Sequence, residues 1–182
     1  MTTNGHVTVG LLETAASRDA DLVEQLARLV NDVYASAESG LWREGATRTT
    51  ASEIAELIRA EQIAVATRNG HIVGSVRIHE VSEEASEFGL LVSAPEERGT
   101  GVGRALLDYA ERYSRDLGLG AIRLELLVPR WWSHPSKKFL DAWYRRSGYR
   151  VIRIDRIDHN YPHLAPLLAT PCDLVIYEKP LR

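Results

Sequence analysis

The residues with most chemical promise are three glycines and an arginine within Ser93-Ala-Pro-Glu-Glu-Arg98-Gly99-Thr100-Gly101-Val102-Gly103-Arg104. Glycines let backbone N–H groups turn toward a common point, and they let a ligand approach where a β-carbon would obstruct it. Val102, Ala105, Leu106, Tyr109, Ala110 and Tyr113 recur at helical spacing, so a helix begins inside this segment and runs to Leu117. A helix N-terminus adds unpaired N–H groups and a partial positive charge, which makes an anion site suited to phosphate. Arg98 adds a fixed cation with forked donors. The plainer alternative is a glycine-rich connection that only turns the chain.

Two common phosphate motifs fail here. Arg104 and Leu106 stand where a dinucleotide fingerprint needs its third glycine, and no Gly-Lys-Ser/Thr occurs. What remains is R-x-x-G-x-G between a strand and a helix.

The elements that must position this loop are legible from periodicity. His6–Glu13 reads as a strand, and Asp19 to Ala37 as a helix with Leu22, Val23, Leu26, Leu29, Val30, Val33 and Tyr34 on one face. Thr50-Ala-Ser-Glu53 is a capping box that starts a second helix. Gln62–Arg68 and His71–His79 form a hairpin around Asn69-Gly70. Glu87–Ser93 is the strand ahead of the loop. In the helix after it, Asp108/Arg112 and Glu111/Arg115 pair on the solvent side. Ala121–Val128 is the next strand. A final helix spans about Ser136–Ser147 and is closed by Gly148. The last strands are Tyr149–Ile157 and Asp173–Lys179, with Asp158–Cys172 irregular between them. The order β-α-α-β-β-β-α-β-α-β-β describes an α/β domain with a mixed sheet, spanning residues 6–182.

Composition narrows the partners. The 182 residues are 45% hydrophobic and 26% charged, with net charge −3, and no basic tract suits nucleic acid. The single Cys172 excludes an intrachain disulfide framework and a multi-cysteine zinc site. The start Met1–His6 has no basic, apolar leader, and no run reaches the roughly 20 apolar residues of a membrane helix. A cytoplasmic protein is expected, with no nucleic-acid or membrane partner; a homodimer is left open.

The Arg98–Gly103 loop resembles the pyrophosphate loop of the GCN5-related N-acetyltransferases, the GNAT family. Four further features agree: Ser93-x-Pro95, the element order, the helix ending Trp143-Tyr144-Arg-Arg-Ser-Gly148-Tyr149, and the strands after it. The resemblance implies acetyl-CoA as co-substrate, lying in an opening between the fourth and fifth strands. It places Leu91, Val92 and Ser93 along the pantetheine arm, the Leu91 N–H on the thioester carbonyl, and backbone groups of Arg98, Gly99, Thr100, Gly101, Val102, Gly103 and Arg104 around the pyrophosphate.

Tyr144 matches the acid that protonates the departing thiolate; otherwise it is a core aromatic. Glu87 matches the base that deprotonates the amine, directly or through water; otherwise it is a solvated member of the run Glu83, Glu84, Glu87. No metal is implied, since Pro162 argues against a helical pair of His159 and His163. The resemblance departs at Lys137, where many members carry asparagine, and in the long Val128–Ser136 connection. Trp131 and Trp132 there either line the acceptor pocket or cap the core beside Trp143, the second being favoured. The resemblance puts acceptor specificity in the segments Glu38–Thr49 and Asp158–Cys172, whose mixed groups suit a small polar amine or a peptide. The expected activity is direct acyl transfer in a ternary complex. The alternative is a non-catalytic acyl-CoA-binding domain of the same fold, and O-acylation stays open.

Overall fold

The computed structural model describes residues 5–181; the ends Met1–Asn4 and Arg182, which the N-terminal reading and the 6–182 span include, lie outside them. The elements are β1 Thr8–Leu11, α1 Ala20–Ala37, α2 Ala51–Arg59, β2 Ile63–Arg68, β3 His71–Glu80, β4 Ala85–Ser93, α3 Val102–Asp116, β5 Ala121–Pro129, α4 Pro135–Arg146, β6 Arg150–Arg156, the short α5 Ile157–Asn160, and β7 Cys172–Pro180.

The local signals act as their chemistry dictates. Asp19 caps α1 by accepting from the Leu22 N–H at 3.1 Å, a cap that contributes about 1 kcal/mol. Thr50 caps α2 through the Glu53 N–H. The box does not close, because the Glu53 carboxylate accepts from the Thr49 hydroxyl instead. Asn69 and Gly70 both take positive φ, 52° and 79°, as the tight hairpin turn demands. Gly148 ends α4 at φ 94°.

One seven-stranded sheet runs in the order β1-β2-β3-β4-β5-β7-β6. Among the described residues its only parallel pair, β4 with β5, joins Ala85–Glu87 to Ala121–Arg123 and no further. Past Glu87 and Arg123 the two strands part. A bulge re-aims β4 just beyond that point: from Arg77↔Gly89 to Ser75↔Val92, β3 advances two residues and β4 three. The extra residue is Leu90, at φ 47°, a conformation that costs on the order of 1–3 kcal/mol for a residue with a β-carbon. Its side chain is buried with Val92 against Val30 of α1, which holds the bulge in place.

Two layers of helices cover the sheet. Val102, Leu106 and Ala110 of α3, with Tyr144 of α4, pack on Phe88, Leu124 and Leu126. On the other face, α1 and α2 pack on Ile63 and Val65. The strands thus separate between two covered faces.

Three further details differ from the sequence reading. Glu111 is 5% exposed and accepts from Tyr149, Lys179 and Arg115, so it is an internal junction and not a solvent-side group. Asp108 pairs backward with Arg104 at 2.9 Å, not with Arg112. Trp131 and Trp132 are 78% and 41% exposed, so neither caps the core; Trp132 instead donates to the Thr170 hydroxyl.

Candidate active site

The opening between β4 and β5 has at its apex Glu87, the last residue of β4 that pairs with β5. Ser86 faces α3, where its hydroxyl bonds that of Ser114; alternation therefore sends Glu87 to the opposite face. Glu125 lies two residues beyond Arg123, the strand partner of Glu87, and shares that face. Burial and then the Glu125 charge push the Glu87 carboxyl up to about 7, with Arg77 and Arg123 opposing. Those cations are partly spent elsewhere, Arg123 on Glu178 at 2.7 Å and Arg77 on Gln62 at 2.8 Å. His79 pairs across from Glu87, with Nε2 4.0 Å from its carboxylate. Burial holds that imidazole below its ordinary pKa.

Periodicity did not single out Glu125. Its signal was a lone charge amid the apolar run Leu124–Leu127 of a strand whose neighbours are core residues. Tyr161, from the segment between β6 and β7, donates to Glu125 at 2.7 Å and so brings that segment to the apex.

The residues that the resemblance assigns to the coenzyme lie at and beyond the other end of β4. The Ala94 N–H donates to the Val73 carbonyl. By alternation the peptide groups of Ser93, and of Leu91 two residues earlier, turn away from β3 toward the parted β5. The Ser93 Oγ is buried and has no hydrogen-bond partner among the described residues. Val92 packs its side chain into the α1 contact, so only its backbone faces any ligand.

Gly99 and Gly101 sit at φ 78° and 92°, which accounts for glycine at both. A β-carbon at either would meet nothing within 4 Å, so the space before them is open. Gly101 caps α3 without a side chain, and the first intrahelical bond is from the Ala105 N–H to its carbonyl. The N–H groups of Val102, Gly103 and Arg104 are left without helical partners. The Val102 side chain is core, and Arg98 and Arg104 are exposed.

A strut absent from the sequence reading fixes this loop. Arg68, at the end of β2, pairs with Glu97, and the Glu97 carboxylate accepts from the Thr100 hydroxyl at 2.7 Å. An orphaned hydroxyl, an open glycine cradle and a free helix start fit a coenzyme with a polar arm and a pyrophosphate.

Tyr144 packs from α4 against Phe88 of β4. It is 6% exposed, with Phe88, Tyr149, Tyr177 and Trp143 around its ring at 5.0–6.0 Å. Burial first, then Tyr34 and Tyr177, raise its pKa well above the ordinary phenol value, so the hydroxyl keeps its proton. Lys137 lies two turns earlier on the same helix, 5% exposed, and pairs with the equally buried Glu38 at the end of α1. The Trp42 indole also donates to Glu38. Here a buried ion pair ties the two helix layers where the resemblance led to asparagine. Cys172 is 1% exposed and burial raises its thiol, as suits a small core residue.

The family model of the acetyltransferase (GNAT) domain matches residues 59–151, just over half of the chain. No curated protein sequence matches it. Among solved structures, Ard1 from Thermoplasma volcanium is 18% identical, over 96% of this chain and 97% of that one, at a TM-score of 0.66. Ribosomal-protein-S18-alanine N-acetyltransferase from Escherichia coli is 19% identical, over 97% and 94%, at 0.63. An aminoglycoside 6'-N-acetyltransferase complexed with coenzyme A is 15% identical, over 96% and 97%, at 0.69. At such identities these likenesses speak to the fold. With the family match from the end of α2 to the start of β6, they make this chain a member of the GNAT acetyltransferase family, which moves acyl groups from acyl-CoA to amines.

Proposed function

We propose that the chain transfers an acetyl group from acetyl-CoA to the amine of a small molecule or peptide, by direct attack in a ternary complex. The observation that carries this reading is Glu87, a half-buried carboxyl pushed up to about 7 at the apex of the opening. A group with that pKa is ionised in part at neutral pH and can still take a proton from an amine as it attacks.

The other roles follow from position. The N–H groups of Val102 to Arg104, with those of the glycine loop, hold the pyrophosphate, and Arg98 adds charge from the rim. The Ser93 and Leu91 peptide groups pair with the pantetheine arm as an added strand would. The Leu91 N–H stabilises charge developing on the thioester carbonyl oxygen. Tyr144, still protonated, donates to the departing sulfur. Glu87 takes the amine proton, and His79 beside it offers a neutral imidazole through which that proton leaves.

The test is release of free thiol from acetyl-CoA against a panel of amines. Amine-dependent release supports the reading. Coenzyme binding without release for any acceptor returns the chain to a non-catalytic acyl-CoA-binding role.

A further inference from the structure

The two acceptor loops are tied together by their backbones. Trp42 bridges Leu168, the Arg43 N–H donates to the Leu167 carbonyl at 2.8 Å, and the Ala169 N–H donates to the Leu41 carbonyl at 2.9 Å. This tie borders a depression of about 420 Å³ whose lining includes Arg43, Arg130, Arg156 and Trp131.

Its three guanidinium groups are not equivalent. Arg130 pairs with Asp173 at 2.6 Å, and Arg156 with Asp158 at 2.9 Å. Arg43 instead donates from Nε to the Leu168 carbonyl at 3.1 Å, a neutral acceptor, and has no carboxylate partner among the described residues. Three cations therefore meet two anions, and the terminal nitrogens of Arg43 stay available for a forked contact with a carboxylate. Trp131, 78% exposed, offers an apolar face at the rim.

The depression connects to the apex through one helical turn. Ile157 and Asp158 help to line it. The Tyr161 N–H donates to the Ile157 carbonyl at 2.7 Å, and the Tyr161 hydroxyl donates to Glu125. Cys172, which lines the depression, pairs with Pro129, four residues past Glu125 on β5, about 13 Å at strand rise, so an acceptor that touches both places is extended.

We infer that this depression binds the anionic end of the acceptor, so that the preferred substrates are amines bearing a carboxylate. The inference rests on the acceptor side proposed above. Its test uses tripeptides with one variable position, acidic, neutral or basic, beside a matched pair of a small amino acid and its amide. The peptide and small-molecule arms distinguish the two sources of carboxylate.

Wild type should favour the acidic member of a series by about 10-fold or more in kcat/KM, as one charge-assisted contact allows. Arg43→Gln should bring that ratio near parity, and Arg43→Glu should invert it toward the basic member. Equal turnover of all three by wild type, or an unchanged ratio in Arg43→Gln, overturns the inference. Calorimetric binding of the acidic tripeptide separates this result from failure of the enzymatic reading. Arg43-dependent binding without any thiol release keeps the depression and removes the transferase. Absence of binding and of charge preference removes the depression.

Discussion

Glu87 and Glu125 share one face of the sheet at the point where β4 and β5 part, and the charge of Glu125 helps to raise the Glu87 carboxyl to about 7. If Glu87 is the base, kcat/KM should climb with pH up to about 7 as it ionises, with the amine's own ionisation superimposed. Glu125→Gln removes a neighbouring negative charge and so lowers the Glu87 pKa. Its pH profile should shift toward acid relative to wild type. A shift toward alkali, or none, would show that the two carboxylates do not interact.

The same shift bears on stability. A folded-state value near 7 lies above the ordinary 4.5, so between these values the native state holds a proton that the unfolded chain releases. Stability contributed by this group therefore falls as pH rises from about 4.5 to about 7. Glu87→Gln has no proton to gain or lose in this range. Urea midpoints of wild type and variant, compared at pH 4.5 and pH 8, should show the variant gaining relative to wild type at the higher pH.

Gly103 offers a cleaner probe of the phosphate loop than Gly101. Gly101 needs φ 92°, so any side chain there strains the backbone. At Gly103 a new β-carbon would meet only the Trp143 ring, at 3.9 Å. Gly103→Glu should therefore keep a native circular dichroism spectrum and lose acetyl-CoA affinity by well over 10-fold in calorimetry, since its carboxylate repels the pyrophosphate. Unchanged affinity would place the coenzyme elsewhere.

The buried Glu38–Lys137 pair predicts a non-additive cycle. Lys137→Met leaves Glu38 charged and buried and should cost about 3–5 kcal/mol in urea unfolding. Glu38→Leu with Lys137→Met should be less destabilised than the sum of the single variants, because no orphaned charge remains. Additive losses would mean that the two groups do not depend on each other.

The elements and the glycine turn ahead of α3 are legible in the sequence because each leaves a local trace, periodicity for the first and glycine spacing for the second. Pairings between distant segments leave none. Arg68 with Glu97, Glu38 with Lys137 and Tyr161 with Glu125 join residues far apart in the chain. Glu111 looked solvent-facing because helix spacing pairs it with Arg115, while Tyr149 and Lys179, which enclose it, come from beyond α4. The tryptophans misled through their size: Trp131 and Trp132 follow β5 on a connection outside the core, where apolar bulk does not imply burial.

Single-turnover thiol release asks whether Tyr144 is the acid at sulfur during acetyl transfer. Tyr144→Phe keeps the ring packed among Phe88, Tyr149 and Tyr177 and removes only the hydroxyl. At saturating acetyl-CoA and amine the account predicts amine-dependent thiol release in wild type, slowed about 10²-fold or more in the variant, the lower end of what positioned proton transfer contributes. Acetyl-CoA affinity should stay near that of wild type. Release at the wild-type rate in the Phe variant would contradict the account and leave Tyr144 a core aromatic.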